Sequence, residues 1–133
     1  MRVAVVGTGR MGSAMVGRLV GAGHAVSVFN RTTSRAAALA EEHGIAVAPT
    51  AREAAFSADV VIVSLADDAA VRAAYLGADG LVAGLRAGTV VADTSTVDPA
   101  TIRALGDDVA RVGATLIDTP VSGSVSSVKS GKL

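Results

Sequence analysis

Near its start the chain reads Arg2-Val3-Ala4-Val5-Val6-Gly7-Thr8-Gly9-Arg10-Met11-Gly12, an apolar run followed by three spaced glycines. Because apolar residues then recur at helical spacing, the pattern predicts a buried strand that turns sharply into a helix. Gly7 permits the bend, Gly9 lets a pyrophosphate approach the backbone, and Gly12 lets the helix pack closely. The context favours a dinucleotide-binding turn over a glycine turn of purely structural use. The predicted binding residues are Gly7, Thr8, Gly9, Arg10, Met11 and Gly12.

The composition favours one folded domain and excludes several kinds of chemistry. The 133 residues are half hydrophobic and carry a formal net charge of zero, with one tyrosine and two phenylalanines. Such a chain lacks the positive field and the stacking surfaces that nucleic-acid binding uses. It has no cysteine, which excludes disulfides and thiolate catalysis. The two histidines, His24 and His43, stand alone, so we predict no metal site.

No segment of the sequence indicates export or membrane insertion. The first predicted strand begins at residue 2, which leaves no room for a cleavable signal peptide. The apolar runs are shorter than the about 20 residues needed to cross a bilayer. We therefore expect a cytoplasmic protein that binds neither membrane nor nucleic acid.

Short apolar runs alternate with alanine-rich helical stretches along the whole chain. This alternation is typical of a parallel sheet built from βα units. We predict a Rossmann-type α/β fold, a doubly wound and mainly parallel sheet in three α/β/α layers. The predicted strands are 3–6, 25–29, 45–48, 59–64, 88–93 and 115–118.

Polar residues at the predicted helix starts support this division. Thr50 and Glu53 form a capping-box pattern, and Asp67 is placed to cap the next helix. Asp98 and Pro99 suit the N-cap and first positions of a later helix. Either Thr32 or Ser34 suits the start of the helix that ends at Gly44. The buried stripe predicted for the later helix is Ile102, Leu105, Val109 and Val112.

The turn after the second strand predicts which dinucleotide is bound. Parallel sheets bind ligands beyond the carboxyl ends of their strands, and an acidic residue here usually bonds the ribose 2′-hydroxyl of NAD. This chain instead has Asn30, Arg31 and Thr32. A guanidinium neutralises a phosphate through paired hydrogen bonds, and a threonine hydroxyl adds a donor. We therefore predict NADP in preference to NAD, although Arg31 would also suit a solvated surface.

Three further turns after strands carry candidate ligand contacts. Ser64, Leu65 and Ala66 would lie beside the nicotinamide ribose, or would form a plain turn into a helix. A second cluster of hydroxyls follows the fifth strand, and we favour cofactor contact there because Asp98 already caps the helix. That cluster consists of Thr94, Ser95 and Thr96. The turn after the sixth strand offers donors for a small carboxylate, or forms a flexible linker. Those donors are Ser122, Gly123 and Ser124.

The last thirteen residues do not predict a packed element. We expect a dinucleotide-binding domain over residues 1–120, with residues 121–133 beginning a substrate loop and a following element. The abrupt end favours a chain cut inside a longer protein, just before another strand, over a natural frayed tail.

These segments together resemble the β-hydroxyacid dehydrogenase family, which includes the 3-hydroxyisobutyrate dehydrogenases. The resemblance rests on the glycine turn with Met15, on residues 23–32, and on Asp93-Thr-Ser-Thr-Val-Asp-Pro99 with Asp118-Thr-Pro-Val-Ser-Gly123. The final motif is the most specific of these. The more distant imine reductases share the first two segments.

The resemblance implies hydride transfer between nicotinamide and a small hydroxyacid or semialdehyde. It implies that Ser122 and Gly123 bind the substrate carboxylate, whereas Ser124 stands where most members have glycine. The catalytic lysine of the family lies in an all-α second domain, beyond Leu133, and the lysines present here, Lys129 and Lys132, come too early to match it. We therefore expect an inactive cofactor domain of an enzyme that forms a homo-oligomer when complete. The alternatives are a nucleotide-sensing module without catalysis and the cofactor domain of an imine reductase.

Overall fold

A computed structural model describes residues 1–133 as six parallel strands with helices on both faces of the sheet. The strand order is β3-β2-β1-β4-β5-β6, and every neighbouring pair is parallel. The strands are β1 (Arg2–Val6), β2 (Ala25–Phe29), β3 (Ala46–Val47), β4 (Val60–Val63), β5 (Val90–Asp93) and β6 (Thr115–Asp118). The helices are α1 (Arg10–Gly21), α2 (Thr33–His43), α3 (Ala51–Phe56), α4 (Asp68–Tyr75), α5 (Leu81–Gly84), α6 (Pro99–Arg111) and α7 (Val125–Lys129). The predicted doubly wound Rossmann-type fold is confirmed.

Alternate residues of the central strands pack against opposite helical layers. Ala4 and Val6 of β1 belong to a core that includes residues of α3, α4, α5 and α6. Val5, between them, packs with Val16 of α1 and with residues of α2. Neighbouring side chains of a strand point to opposite faces, so each layer covers one face of the sheet. The strand order reverses between β1 and β4, which opens a crevice at their carboxyl ends.

The helix boundaries follow the capping residues that the sequence contains. The Thr50 hydroxyl accepts a hydrogen bond from the Glu53 N–H, and the Asp67 carboxylate accepts one from the Ala70 N–H. Asp98 caps α6 with Pro99 in the first turn. Thr32 occupies the N-cap position of α2, but its hydroxyl makes no capping bond. Of the four residues predicted for the buried stripe of α6, Val112 is wrong, because it lies beyond the last helical residue and is 37% exposed.

The end of the chain differs from its prediction, because residues 121–133 contain a packed helix. Ser124 caps α7 by accepting a hydrogen bond from the Ser127 N–H. Val128 is buried against Ala14 and Met15 of α1. Two valines three residues apart, Val125 and Val128, give this short segment an apolar face. The face was not predicted, because the segment is rich in glycine and serine. No helix of the chain is long and apolar enough to cross a membrane.

Candidate nucleotide-binding site

A pocket of about 310 Å³ lies at the crevice where the strand order reverses. It is formed by the turns that follow β1, β2 and β4, by one face of α4 (Ala70, Ala73 and Ala74) and by Arg35 of α2. Wider clefts of about 540 and 830 Å³ lie elsewhere on the surface, but neither includes Gly7 or Gly9. Nine residues predicted to bind the cofactor line the pocket at the crevice: Gly7, Thr8, Gly9, Asn30, Arg31, Thr32, Ser64, Leu65 and Ala66.

Glycine is present at the three positions of the turn for different reasons. Gly7 has a φ of 100°, and a Cβ there would collide with the Ser64 carbonyl oxygen. A Cβ at Gly12 would collide with the Gly7 carbonyl oxygen. A Cβ at Gly9, in contrast, would meet no atom within 4 Å. Packing within the chain therefore requires glycine at positions 7 and 12, whereas Gly9 leaves free space in front of the backbone.

That free space adjoins donors that nothing in the chain uses. The backbone N–H groups of Arg10, Met11 and Gly12, in the first turn of α1, donate to no backbone or side-chain acceptor. Thr8 is buried, and its Oγ1 atom has no hydrogen-bond partner. Unpaired N–H groups at the start of a twelve-residue helix attract anions, since the helix dipole is positive there. The turn thus fits a dinucleotide pyrophosphate.

The side chains of Arg10 and Met11 point away from this pocket. Arg10 is exposed and lines the cleft on the outer side of α1. Met11 packs against the small apolar cluster that Ala14, Met15 and Val128 form. Their predicted part in cofactor binding therefore depends on their backbone N–H groups.

The end of β2 gives the pocket its charge. Asn30 is used inside the protein, because its Oδ1 accepts a hydrogen bond from the Thr8 N–H and its Nδ2 donates to the Thr32 carbonyl. Arg31 and Arg35 both line the pocket, which has no acidic residue, and neither forms a salt bridge. Sequence reasoning missed Arg35. Its position in the first turn of α2, directly after the turn formed by residues 30–32, was the signal that would have found it.

The hydroxyl cluster after β5 does not line the pocket but supports it. Thr94 donates its hydroxyl to the Val63 carbonyl oxygen at 2.8 Å. Ser95 is buried, and its Oγ accepts a hydrogen bond from the Leu65 N–H at 2.9 Å. Thr96 is exposed and is the one member whose hydroxyl has no partner in the chain. Direct cofactor contact by these three residues stays a prediction.

Beneath this cluster lies a fully buried tyrosine–carboxylate pair that the sequence reading did not identify. The Tyr75 hydroxyl donates to Asp93 Oδ2 at 2.7 Å. Burial raises the pKa of Tyr75 far above its usual range, and the Asp93 carboxylate adds to the effect. The tyrosine therefore stays protonated and acts as a hydrogen-bond donor.

The candidate substrate residues lie at the start of α7. Ser122, Gly123 and Ser124 are exposed, and Gly123 has a φ of 150°. The Ser124 hydroxyl is used as the cap of α7. Ser122 and Gly123 keep free donors, and binding of a carboxylate there stays a prediction.

Residues 2–133 match the family model described as the NAD binding domain of 6-phosphogluconate dehydrogenase. The chain belongs to this family. It also matches 3-hydroxyisobutyrate dehydrogenase of Pseudomonas aeruginosa, with 37% identity over 98% of this chain and 44% of the relative. An NAD-dependent L-serine dehydrogenase of the same organism is 35% identical over 99% of this chain and 44% of the relative. The cytokine-like nuclear factor N-PAC of Danio rerio is 35% identical over 92% of this chain and 26% of the relative.

Solved structures agree with these sequence matches. Psf3 in complex with NADP+ and 2-OPP superposes with a TM-score of 0.89 and 36% identity, over 97% of this chain and 45% of that protein. The Mycobacterium tuberculosis 3-hydroxyisobutyrate dehydrogenase solved with L-serine superposes with a TM-score of 0.86 and 36% identity, over 97% of this chain and 43% of that protein. The NAD(P)-binding domain inferred from the sequence is confirmed. The chain spans less than half the length of the relatives it matches.

Proposed function

We propose that this chain is the NADP(H)-binding part of an oxidoreductase that acts on a small hydroxyacid or semialdehyde. The observation that carries the choice of NADP is the charge of the pocket. Its charged lining residues are Arg31 and Arg35. Arg31 follows the end of β2, where an NAD-specific site usually has a carboxylate, and Arg35 lies in the first turn of α2. A 2′-phosphate carries the charge that two unpaired guanidinium groups bind best.

Different residues of the chain bind different parts of the cofactor. The free N–H groups at the start of α1 hold the pyrophosphate, and the open space over Gly9 admits it. Arg31, Arg35 and the unused Thr32 hydroxyl hold the 2′-phosphate. When bound, the nicotinamide supplies or accepts the hydride.

The chain has no group at the pocket that moves a proton to or from the substrate oxygen. The pocket lining contains no lysine, histidine, carboxylate or tyrosine. Lys129 lies on α7 and Lys132 follows it, and both are exposed. We propose that the proton-transferring lysine lies in the part of the protein beyond Leu133, and that Ser122, Gly123 and Ser124 contribute to substrate binding.

A binding titration tests the cofactor. The change in NADPH or NADH fluorescence is measured on the wild-type chain and on the Arg31→Ala variant. We expect the wild type to bind NADPH at least about tenfold more tightly than NADH, because a charged hydrogen-bonded pair contributes roughly 1.5–3 kcal/mol. Arg31→Ala should weaken the binding of NADPH and leave the binding of NADH unchanged. Tighter binding of NADH by the wild type would contradict the choice of NADP.

Turnover tests the division between binding and catalysis. The chain alone, mixed with NADPH and a short semialdehyde, should bind the cofactor but show no steady loss of NADPH absorbance at 340 nm. A longer protein that carries this domain and a second, lysine-bearing domain should oxidise NADPH under the same conditions. Steady turnover by the chain alone would disprove the missing-lysine proposal.

A nucleotide-sensing role without catalysis is the second candidate. It is favoured by the likeness to N-PAC, a relative that is named as a nuclear factor and not as a dehydrogenase. The two candidates differ in what the complete protein does with bound NADPH. Binding without turnover of any hydroxyacid, semialdehyde or cyclic imine by the complete protein would support the sensor.

A further inference from the structure

Asp93 is a buried carboxylate that has no cationic partner. Its side chain and that of Tyr75 are both 0% exposed, and none of the salt bridges in the chain involves Asp93. Burying such a group costs stability unless its oxygens are fully hydrogen-bonded. Oδ2 accepts from the Tyr75 hydroxyl at 2.7 Å, and Oδ1 accepts from the Ser95 N–H at 2.9 Å. The carboxylate therefore joins α4 to the turn after β5.

The hydrogen bonds continue from this turn to the wall of the pocket. The Ser95 Oγ accepts from the Leu65 N–H at 2.9 Å, and Leu65 lines the nucleotide pocket. We call residues 64–66 the 64–66 loop. On its other side this loop lies against the glycine turn, because a Cβ at Gly7 would come 2.9 Å from Leu65 Cδ2. The loop is thus fixed from both sides.

The hydrogen bonds form a closed circuit, because α4 starts directly after the 64–66 loop. The chain runs from Leu65 along α4 to Tyr75, and hydrogen bonds return from Tyr75 through Asp93 and Ser95 to Leu65. Backbone contacts hold Asp93 as well, since its carbonyl oxygen accepts from the Thr119 N–H at 2.9 Å and from the Thr119 hydroxyl at 3.1 Å. These bonds satisfy the tyrosine hydroxyl and both carboxylate oxygens, and a buried network of this kind holds one geometry firmly.

We propose that Tyr75 and Asp93 are positioning residues that fix the 64–66 loop for the nicotinamide half of the dinucleotide. In a doubly wound sheet the two mononucleotide halves bind to the two halves of the sheet, and Arg31 and Thr32 belong to the adenosine half. The circuit connects β4, α4 and β5, which belong to the other half. The 64–66 loop also lines the pocket that contains Arg31 and Thr32, so loss of the circuit should weaken binding of the whole dinucleotide more than binding of the adenosine half alone. This inference rests on the proposed cofactor function.

Two probes separate the halves of the site. NADPH occupies both halves, whereas adenosine 2′,5′-bisphosphate occupies the adenosine half only. The Tyr75→Phe variant keeps the ring in the core and removes the hydroxyl that Asp93 binds. We expect it to bind NADPH about tenfold more weakly, on the scale of one charge-assisted hydrogen bond, and to bind the bisphosphate within about twofold of wild type.

Ser95→Ala is the second variant, in case loss of the tyrosine hydroxyl prevents folding. It removes only the acceptor of the Leu65 N–H and leaves the tyrosine–carboxylate pair in place. Its binding should change in the same direction. The matched control is Thr101→Val, which removes a buried hydroxyl that also ties α4 to α6, through Asp68 and Arg72, but does not line the pocket. The control should lower the thermal midpoint and leave both ligand affinities unchanged.

Amide hydrogen exchange of Leu65, measured by NMR without any ligand, gives an independent readout. The Leu65 N–H should exchange at least about tenfold faster in Tyr75→Phe and in Ser95→Ala than in wild type or Thr101→Val, because its acceptor is displaced or absent. An unchanged exchange rate of the Leu65 N–H in the two variants would overturn the inference, as would an equal loss of affinity for NADPH and for the bisphosphate. Neither result would affect the cofactor proposal. Failure of the wild-type chain to bind either probe would overturn the cofactor proposal itself.

Discussion

Asn30 Oδ1 accepts a hydrogen bond from the Thr8 N–H across 3.2 Å, which ties the end of β2 to the glycine turn after β1. The amide of the same side chain donates to the Thr32 carbonyl oxygen at 3.1 Å. Asn30 thus holds together the phosphate-binding turn and the segment that carries Arg31. Only an amide side chain supplies both an acceptor and a donor in this geometry, whereas an ionised aspartate supplies acceptors alone.

The Asn30→Ala substitution should therefore lower the affinity for the nucleotide more than it lowers the stability of the fold. Loss of both hydrogen bonds frees the two segments to move apart, and we expect NADPH affinity to fall about tenfold. The matched control is Thr50→Ala, which also removes one acceptor of a backbone N–H but lies outside the pocket. The control should cost about 1 kcal/mol of stability and no affinity. Equal affinities for the two variants would show that Asn30 has no role in shaping the site.

Alanine substitutions should separate the folding role of the glycines from their binding role. Gly12→Ala forces a Cβ against the Gly7 carbonyl oxygen, so we expect about 2–3 kcal/mol of destabilisation. Gly9→Ala meets no protein atom within 4 Å, so it should lose no more than about 1 kcal/mol, the preference of an N-cap for glycine over alanine, while NADPH affinity falls at least about fivefold. Thermal melts and fluorescence titration measure the two effects.

Gly21→Ala is the control for these substitutions, because it lies in α1 away from the pocket and its Cβ would also meet nothing within 4 Å. It should be neutral or stabilising by up to about 1 kcal/mol, since alanine favours helix over glycine. A Gly9→Ala variant that binds NADPH as wild type does would contradict the proposed path of the pyrophosphate.

The sequence was sufficient for the fold because each local signal agreed with the tertiary arrangement. The second and sixth strands were predicted with their observed boundaries, and α6 starts at Pro99 as its capping residues require. Parallel strands must send their carboxyl ends to one edge, so the residues after β1, β2 and β4 could be assigned to one pocket. Nine of the predicted binding residues line it.

What the sequence did not reveal depends on contacts between distant segments. α5 is four residues long and has no amphipathic period, and its Gly84 is required only because Arg52 of α3 passes close by. The Tyr75–Asp93 bond spans two elements, and neither residue type at its position indicates the other. α7 was missed because its apolar face consists of two valines within a serine-rich segment.

Acid should weaken the contact between α4 and α6 through Asp68. Its carboxylate accepts from the Thr101 hydroxyl at 2.7 Å and from the Asp98 N–H at 3.2 Å, and these bonds hold the pKa of Asp68 below its ordinary value of 3.8. A carboxyl whose pKa is lower in the folded state contributes stability above its unfolded pKa, and the contribution is lost as the pH falls through the folded pKa.

Urea unfolding from pH 6 to pH 2.5 tests this pH dependence. The wild type should be more stable than Asp68→Asn at pH 6, and the difference should shrink as the pH falls below 3.8. Asp107→Asn is the control, since Asp107 lies on the exposed side of α6 and forms no salt bridge. A wild-type advantage that stays constant down to pH 2.5 would assign the effect of Asp68 to packing and not to its charge.

Arg35 should account for part of the preference for NADPH. It lies in the first turn of α2, lines the pocket beside Arg31 and has no acidic partner. The Arg35→Ala variant should bind NADPH about three- to tenfold more weakly and bind NADH as wild type does, since the 2′-phosphate distinguishes the two ligands. Arg31→Ala combined with Arg35→Ala should abolish the preference. Arg103→Ala, which removes one exposed positive charge on α6, is the matched control and should change neither affinity. If Arg35→Ala weakened NADPH and NADH equally, Arg35 would support the pocket as a whole, and selectivity would belong to Arg31 and Thr32 alone.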